Sequence, residues 1–230
     1  MTVSDEPDYR IVEFGCGSDG AAPAADLAGL HAELLSHSPL VLMGPAFVER
    51  FYYTRLPEMG LISGAVAYVN GEAAGFIVAT PEPNDFMDRA MKRHWLGVCW
   101  NLATSVLKNP ARLRALAEAY RIQKNVDAQD YGPEMGEMLS FGVLEAYRSR
   151  AFVRETGISI GVDLLERATA QLRAAGKQQV RAIVDKDNLE AQLFYRFQGW
   201  RVGLADVQGW AVPTMEFLVD LNPNTESTKA

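Results

Sequence analysis

The sequence predicts an α/β chain, folded as a mixed, mostly antiparallel central sheet with helices on both faces. One observation is a hairpin, because two β-rich runs flank Asn70–Gly71, and Asn-Gly is a preferred pair for a tight hairpin turn. Another is the order strand, helix, strand over residues 136–184, which demands a right-handed crossover between parallel strands. A sheet that holds both connections contains antiparallel and parallel pairs.

The other elements follow from the spacing of apolar residues along the chain. Asp26 is predicted to cap the first helix, Pro45 to begin the second, and Gly176 to end the long helix. The predicted elements are a strand at 10–14, helices at 26–36 and 45–56, the hairpin at 61–80, a helical insertion at 85–125, a strand at 136–144, a helix at 156–175, a strand at 179–184, a helix at 188–197, and a closing antiparallel pair of strands at 200–210 and 214–221.

Size and charge favour a single domain spanning residues 1–230, with a disordered tail at 222–230. A net charge of −7 disfavours a broad nucleic-acid surface, which needs clustered Lys and Arg. The longest apolar run, residues 95–107, is shorter than the about 20 residues of a membrane span, and the polar N-terminus does not resemble a secretory signal. The two cysteines, Cys16 and Cys99, are interpreted as reduced thiols, so we expect a cytoplasmic protein without nucleic-acid or membrane partners.

A glycine-rich turn follows the first predicted strand. The stretch "FGCGSDG" places Gly15, Gly17 and Gly20 in a G-x-G-x-x-G pattern, similar to that of Rossmann-type methyltransferases. The context is poor, because Pro23 precedes the helix and the predicted antiparallel strands do not fit a doubly wound sheet. A methyltransferase that binds S-adenosylmethionine is therefore kept only as a minor alternative.

The predicted helix at 188–197 presents an amide and a phenol on one face. Asn188 and Tyr195 are seven residues apart, hence two turns apart, and the small Ala191 lies between them. An extended ligand could lie along this face. The alternative is structural, with Asn188 as a helix cap and Tyr195 as a core aromatic residue.

The order of elements and two motifs resemble the GNAT superfamily of acyl-CoA N-acyltransferases. The motifs are "LSFGVLEAYR" at 139–148 and the pattern D-N-x-x-A-x-x-F-Y-x-x-x-G-W at 187–200. The resemblance implies a GNAT fold, with the helical insertion between its third and fourth strands, and direct transfer of an acetyl or other short acyl group from acyl-CoA to the amine of a small molecule. It further implies that Asn188 and Tyr195 contact coenzyme A and that Tyr195 protonates the departing thiolate.

The resemblance also locates a diphosphate-binding loop. Residues 154–159 fit the frame Gln/Arg-x-x-Gly-x-Gly/Ala, which assigns Arg154, Gly157, Ile158 and Ser159 to the coenzyme A diphosphate. Unpaired amides at a helix N-terminus bind anions, and three nearby cations, Arg148, Arg150 and Arg154, would strengthen the site. A second register places Ser159 and Gly161 in the two glycine positions, and the sequence leaves the choice open.

The strand at 136–144 carries the remaining predicted functions. Alternation predicts Glu137, Leu139, Phe141 and Val143 on one face and Met138, Ser140 and Gly142 on the other. The resemblance implies that the backbone of Phe141 and Val143 pairs with the pantetheine arm where this strand separates from its neighbour, and that Glu137 is the general base. The alternatives are that Glu137 merely solvates an exposed strand start, or that Glu134 is the base.

The histidines indicate no metal site. His31, His37 and His94 lie in no H-x-x-H spacing or carboxylate cluster, so we expect acetyl-CoA as co-substrate and no metal. The insertion at 85–125 is predicted to pack on the sheet, with a lid or a dimer contact as alternatives. A non-catalytic CoA-binding module of the same fold is the main functional alternative, and the oligomeric state is left open, with a homodimer among the options.

Overall fold

The computed structural model describes residues 6–15, 20–84, 86–90, 131–208, 210 and 212–222. Its strands form one seven-stranded sheet in the order β1-β2-β3-β4-β5-β7-β6. The strands are β1 (Tyr9–Phe14), β2 (Ser63–Val69), β3 (Glu72–Thr80), β4 (Met135–Val143), β5 (Gln179–Asp185), β6 (Arg201–Val202) and β7 (Thr214–Asp220). The helices are α1 (Ala24–Leu34), α2 (Pro39–Leu42), α3 (Pro45–Phe47), a π-helix (Val48–Arg55), α4 (Leu56–Glu58), α5 (Glu145–Arg148), α6 (Arg150–Thr156), α7 (Ile160–Ala174) and α8 (Leu189–Phe197).

The sheet is mixed, as predicted. Strands β4 and β5 form a parallel pair, and the other neighbouring pairs of described strands are antiparallel. The predicted hairpin joins β2 to β3, and its turn residues Asn70 and Gly71 have φ of 52° and 83°. Positive φ at both central residues is what a tight turn matched to the strand twist requires.

Helices cover both faces of the sheet, which confirms the predicted layers. Helices α7 and α8 contribute Leu164 and Tyr195 to a buried cluster on one face. Helix α1 and the π-helix contribute Leu27 and Phe51 to a second cluster on the other face. The sheet separates the two clusters, because successive strand residues point to opposite faces.

Two local predictions are wrong at the helix ends. Helix α1 begins at Ala24 after Pro23, so Asp26 lies in its first turn and accepts a hydrogen bond from the Tyr68 hydroxyl at 2.6 Å instead of capping the helix. The predicted helix at 156–175 is α7, which begins four residues later, at Ile160, and a separate helix that was not predicted, α6, precedes it and ends where Gly157 takes a left-handed conformation (φ 72°).

Other boundaries differ less. The predicted strand at 200–210 is reduced to β6, with one isolated bridge from Val207 to Thr214. Residues 86–90 are helical. The rest of the predicted insertion, with His94 and Cys99, lies outside the described residues, as do Cys16 and residues 223–230. Among the helices in the described part of the chain, none combines the length and the apolar character that crossing a bilayer would take.

Candidate active site

Strands β4 and β5 pair over only part of their length. The parallel ladder runs from Met135↔Gln179 to Met138↔Ala182, whereas β4 continues to Val143 and β5 to Asp185. Beyond Met138, β4 pairs with β3 alone among the described strands, and the end of β5 pairs with β7 alone. The two strands therefore leave a gap between their carboxyl ends, as the resemblance implied.

A bulge changes which face each β4 side chain reaches. The β3–β4 register shifts between Val78 and Ala79, whose partners are Ser140 and Met138, so Leu139 is left unpaired. An extra residue of this kind reverses the alternation beyond it. Leu139 consequently packs on the α1 side, whereas Phe141 and Val143 pack on the side of α7 and α8, so the predicted common face is wrong.

Glu137 is buried, so the alternative that it merely solvates an exposed start of the strand is wrong. Its carboxylate accepts a hydrogen bond from the Arg181 guanidinium at 2.7 Å, and the side chains of Glu137 and Arg181 are only 7% and 1% exposed. Burial raises the pKa of the Glu137 carboxyl, and the nearby Arg181 opposes this increase. The pair is adjacent across the ladder, one position before the strands separate.

Two further groups surround this ion pair. The guanidinium carbon of Arg181 lies 3.5 Å from the centre of the Tyr131 ring, over its face, in a cation–π contact. Glu216 on β7 is buried, and its charge raises the pKa of Glu137. The Arg181 Nε is buried without a hydrogen-bond partner among the residues described. The cluster thus holds two carboxylates and one guanidinium next to the gap.

The backbone N–H groups of the loop before α7 fall into two groups, those that donate a hydrogen bond within the chain and those that do not. Gly157 donates its N–H to the Val153 carbonyl at 2.8 Å, and Ile158 donates to the Thr156 hydroxyl at 3.1 Å. These two amides, predicted to hold a diphosphate, already have partners within the chain. For Ser159 and the first-turn residues Ile160 and Gly161, the described part of the chain offers no acceptor for the backbone N–H groups.

The predicted cluster of cations is partly neutralised. Arg148 forms an ion pair with Glu190 on α8, and Arg154 lies 3.9 Å from the carboxylate of Glu155. Arg150 is exposed. The three side chains therefore add less positive charge near the loop than the sequence suggested.

Helix α8 carries Asn188 and Tyr195 and packs on the same face of the sheet as α7. The Asn188 side chain accepts a hydrogen bond from the Ala191 N–H at 3.0 Å, so it caps the helix. The Tyr195 ring is 4% exposed, stacks on Phe217 with 5.6 Å between centroids, and contacts Trp200. Burial raises the pKa of the Tyr195 phenol, so it keeps its proton at neutral pH.

Two phenylalanine rings connect β4 to α8 near the start of α7. The rings of Phe141 and Phe194 lie 5.3 Å apart. A Cβ added at Gly161 would lie 3.4 Å from Phe194 and 3.5 Å from Phe141. Gly161 therefore lies directly against both rings, and its small size keeps the helix start close to the gap.

Sequence reasoning missed Arg181. The signal was present, because Arg181 is a cation in the otherwise apolar run "VRAIV" of a predicted buried strand. A buried cation needs a carboxylate partner. Glu137, on the strand predicted to lie alongside, was an available candidate.

Comparisons with known proteins bear on the fold of the chain. No protein-family model matches the chain, and no curated protein sequence matches it. A solved structure of a protein named as an acetyltransferase from Salmonella typhimurium, with acetyl-CoA, has a TM-score of 0.54 at 12% identity and covers 94% of this chain and 96% of its own. A protein named as a GNAT-family acetyltransferase from Desulfovibrio desulfuricans has a TM-score of 0.50 at 10% identity, and the match covers 93% of this chain and 99% of that protein. A protein named as an acyl-CoA N-acyltransferase from Klebsiella pneumoniae has a TM-score of 0.50 at 13% identity, and the match covers 94% of this chain and 99% of that protein. At these identities the likeness is one of fold, and it shows that this chain has the fold of the GNAT superfamily of acyltransferases.

Proposed function

We propose that the protein is an acyl-CoA N-acyltransferase that moves an acetyl or other short acyl group to the amine of a small molecule. The observation that carries the proposal is the gap between β4 and β5, which opens after Met138↔Ala182 next to a helix start with unengaged amides. A ligand with a diphosphate at one end and an extended polar arm at the other fits such a combination.

The diphosphate is assigned to the second register of the loop. The N–H groups of Ser159, Ile160 and Gly161 are the donors, because those of Gly157 and Ile158 already donate within the chain. The positive end of the α7 dipole adds to the attraction. Arg154 is 80% exposed and its nearest acidic partner is 3.9 Å away, so it is available to a phosphate.

The acyl arm is assigned to the gap. Past the bulge, the backbone of Phe141 and Val143 has no strand partner on the β5 side in the described part of the sheet. These groups can pair with the amides of a pantetheine arm, and a β4 N–H can polarise the thioester carbonyl. The Asn188 side-chain NH₂ stays available, because capping uses its oxygen.

The proton donor and the base lie on opposite faces of the sheet. Tyr195 and Met138 lie on the side of α7 and α8. Glu137 is the neighbour of Met138 on the strand, so its side chain points to the α1 side, where its charge raises the pKa of the Tyr52 phenol. The gap between β4 and β5 connects the two faces. Acetyl-CoA supplies the activated acyl group as a thioester. Glu137 accepts one proton from the acceptor's ammonium group, which frees the nitrogen lone pair for attack on the thioester carbon. As the C–N bond forms and the C–S bond breaks, Tyr195 donates its proton to the thiolate and regains one from the nitrogen, which loses its second proton, so the products are the amide, the CoA thiol and one proton on Glu137.

A second candidate is a CoA-binding module without catalysis. The observation that favours it is that Glu137 is already committed to Arg181, 2.7 Å away, while Tyr195 is packed among aromatic rings. Neither group is then free to move a proton. This candidate predicts coenzyme A binding without turnover of any amine.

Calorimetry with coenzyme A, followed by acetyl-CoA turnover with a panel of amines, tests both candidates. We expect binding and turnover, with Tyr195→Phe lowering kcat by about a hundredfold or more while leaving CoA affinity within a few-fold. Trp200→Phe is the matched control, because it perturbs the same aromatic cluster without removing an acidic proton. Binding without turnover would favour the module, and absence of CoA binding would refute both candidates.

A further inference from the structure

The Tyr131 ring covers one face of the buried Arg181 guanidinium. Tyr131 precedes β4 in the chain, and the centre of its ring lies 3.5 Å from the guanidinium carbon. The same guanidinium donates a hydrogen bond to Glu137 at 2.7 Å, and the Arg181 side chain is 1% exposed. A contact between a cation and an aromatic face is stronger when both groups are removed from water. Tyr131 therefore contributes to where the guanidinium lies.

A second carboxylate lies within reach of Arg181. Arg181 pairs with Leu218 across the β5–β7 ladder, and Glu216 is two residues from Leu218 on the same face of β7. Diagonal neighbours on one face of a sheet are within reach of a long side chain. Glu216 is 4% exposed, and its charge acts on both Glu137 and Tyr131. Arg181 thus lies between two buried carboxylates, and a further contact can decide which of them it faces.

Asn84 holds the backbone of Tyr131. Its side-chain Nδ2 donates to the Tyr131 carbonyl at 2.7 Å, and its Oδ1 accepts from the Tyr131 N–H at 3.3 Å. Asn84 follows β3, whose last residue, Thr80, pairs with Glu137. The Thr80 hydroxyl accepts a hydrogen bond from the Glu82 N–H at 3.1 Å, which fixes the chain just after β3. Tyr131 is therefore tied to the end of the strand that lies beside Glu137.

We propose that Tyr131 is a positioning residue, whose ring directs the Arg181 guanidinium to Glu137. Without the ring, the guanidinium would turn toward Glu216. The inference rests on the proposed function for its consequence, which is that Glu137 keeps the negative charge that a base needs. Burial raises the pKa of Glu137, Arg181 opposes this increase, and Glu216 adds to it. Loss of the Arg181 contact would therefore raise the pKa of Glu137 further, so the base would stay protonated up to a higher pH.

The groups that act on Glu137 come from several elements. Among the described residues they are Arg181 on β5, Glu216 on β7, Tyr52 on the π-helix and Tyr131 before β4. Burial raises the pKa of both phenols above the ordinary value, so both stay neutral near pH 7. Substituting Tyr131 therefore removes no charge, and a change in the pKa of Glu137 would reflect a change in how Arg181 lies.

Two variants separate the ring from its hydroxyl. Tyr131→Leu keeps an apolar side chain but removes the aromatic face, whereas Tyr131→Phe keeps the face. The pKa of Glu137 is measured by NMR titration of ¹³C-labelled glutamate carboxyls, with Glu137→Gln to assign the signal. We expect an increase of about one unit in Tyr131→Leu and a much smaller change in Tyr131→Phe. The acidic limb of kcat/KM should move to higher pH by the same amount.

A second variant and a control accompany them. Asn84→Ala releases the backbone of Tyr131, so we expect it to raise the pKa of Glu137 in the same direction. Tyr68→Leu is the matched control, because the Tyr68 ring lies 4.2 Å from the Arg10 guanidinium in the same kind of contact elsewhere on the sheet. This control should lose stability and leave the pKa of Glu137 unchanged.

The NMR titration needs no turnover, so it separates this inference from the proposed function. A wild type that acylates no amine, together with a raised pKa in Tyr131→Leu, would refute the transferase and support the positioning role of Tyr131. An unchanged pKa in Tyr131→Leu, or in Asn84→Ala if Tyr131→Leu does not fold, would overturn that role even if turnover is found. Equal increases in Tyr131→Leu and Tyr131→Phe would assign the effect to the hydroxyl and would also overturn it.

Discussion

The Glu137 carboxylate and the Arg181 guanidinium lie 2.7 Å apart on adjacent strands, one ladder position before β4 and β5 separate. Both side chains are almost completely removed from water. A buried carboxylate tends to be protonated, and a neighbouring cation counteracts that tendency. Arg181 therefore controls whether Glu137 carries the negative charge that a base needs, which makes it a positioning residue in the proposed reaction.

Removing one partner of this pair should destabilise the fold strongly. Glu137→Gln leaves a buried guanidinium beside a neutral amide, and such changes cost about 3–5 kcal/mol. The double variant Glu137→Met/Arg181→Met removes both charges and should regain most of that loss. Urea unfolding of the single and double variants measures the coupling, and additive losses would show that the two side chains do not stabilise each other.

Arg181 should also set the pH dependence of turnover. Its guanidinium lowers the pKa of Glu137, so Arg181→Met should raise that pKa. If Glu137 must be ionised, the acidic limb of kcat/KM then moves to higher pH. Profiles of the wild type and the variant under identical buffers measure the shift. An acidic limb at an unchanged pH, with lower activity throughout, would remove Glu137 from the role of base.

Two glycine substitutions distinguish the two registers of the diphosphate loop. Gly161→Val places branched carbons against the Phe141 and Phe194 rings, so it should weaken CoA binding at least tenfold. The Cβ that Gly157→Ala adds has no neighbouring atom within 4 Å, but alanine must then take a left-handed conformation. We therefore expect this variant to lose about 1 kcal/mol of stability and to keep its CoA affinity. Calorimetry of both variants measures this, and the opposite pattern would restore the Gly157 register.

Asn188 has two roles that substitutions can separate. Its oxygen caps α8, and its NH₂ group is proposed to contact coenzyme A. Asn188→Ser keeps a capping oxygen, so we expect a small change in stability and a several-fold loss of CoA affinity. Asn188→Ala should lose the same affinity and in addition about 1 kcal/mol of stability. Equal CoA affinity in wild type and Asn188→Ser would leave Asn188 with the capping role alone.

The sequence predicted the sheet well because its strongest local signals agree with the final fold. The Asn70–Gly71 turn and the order of elements around Gly176 each point to one topology. The bulge at Leu139 was not predictable, since an unpaired residue depends on the partner strand rather than on local preference. Helix α6 and its end at Gly157 were missed, because glycine in a loop fits a phosphate contact and a helix stop equally well.

The candidate site was predicted in part. The gap follows from the resemblance, and the cap at Asn188 follows from its position before an amphipathic run. The pairing of Glu137 with Arg181 required knowing which strands are neighbours and which side chains share a face. Burial of that kind is a property of the assembled sheet, so residue type alone could suggest it but not assign it.

His31 should make the protein less stable in mild acid. Its ring is fully buried, with Nδ1 hydrogen-bonded to the Tyr53 hydroxyl at 2.6 Å and Nε2 to the Ser38 hydroxyl at 3.1 Å. Burial lowers the pKa of His31 to about 4, below the about 6.5 expected in the unfolded chain. Between these values the unfolded state binds more protons, so stability should fall as the pH drops from about 6.5 to 4, by roughly 3 kcal/mol in total. Urea unfolding at several pH values measures the slope. His31→Asn cannot titrate, and its curve should be flatter over this range even though its stability at neutral pH is lower; parallel curves would show that other groups cause the acid sensitivity.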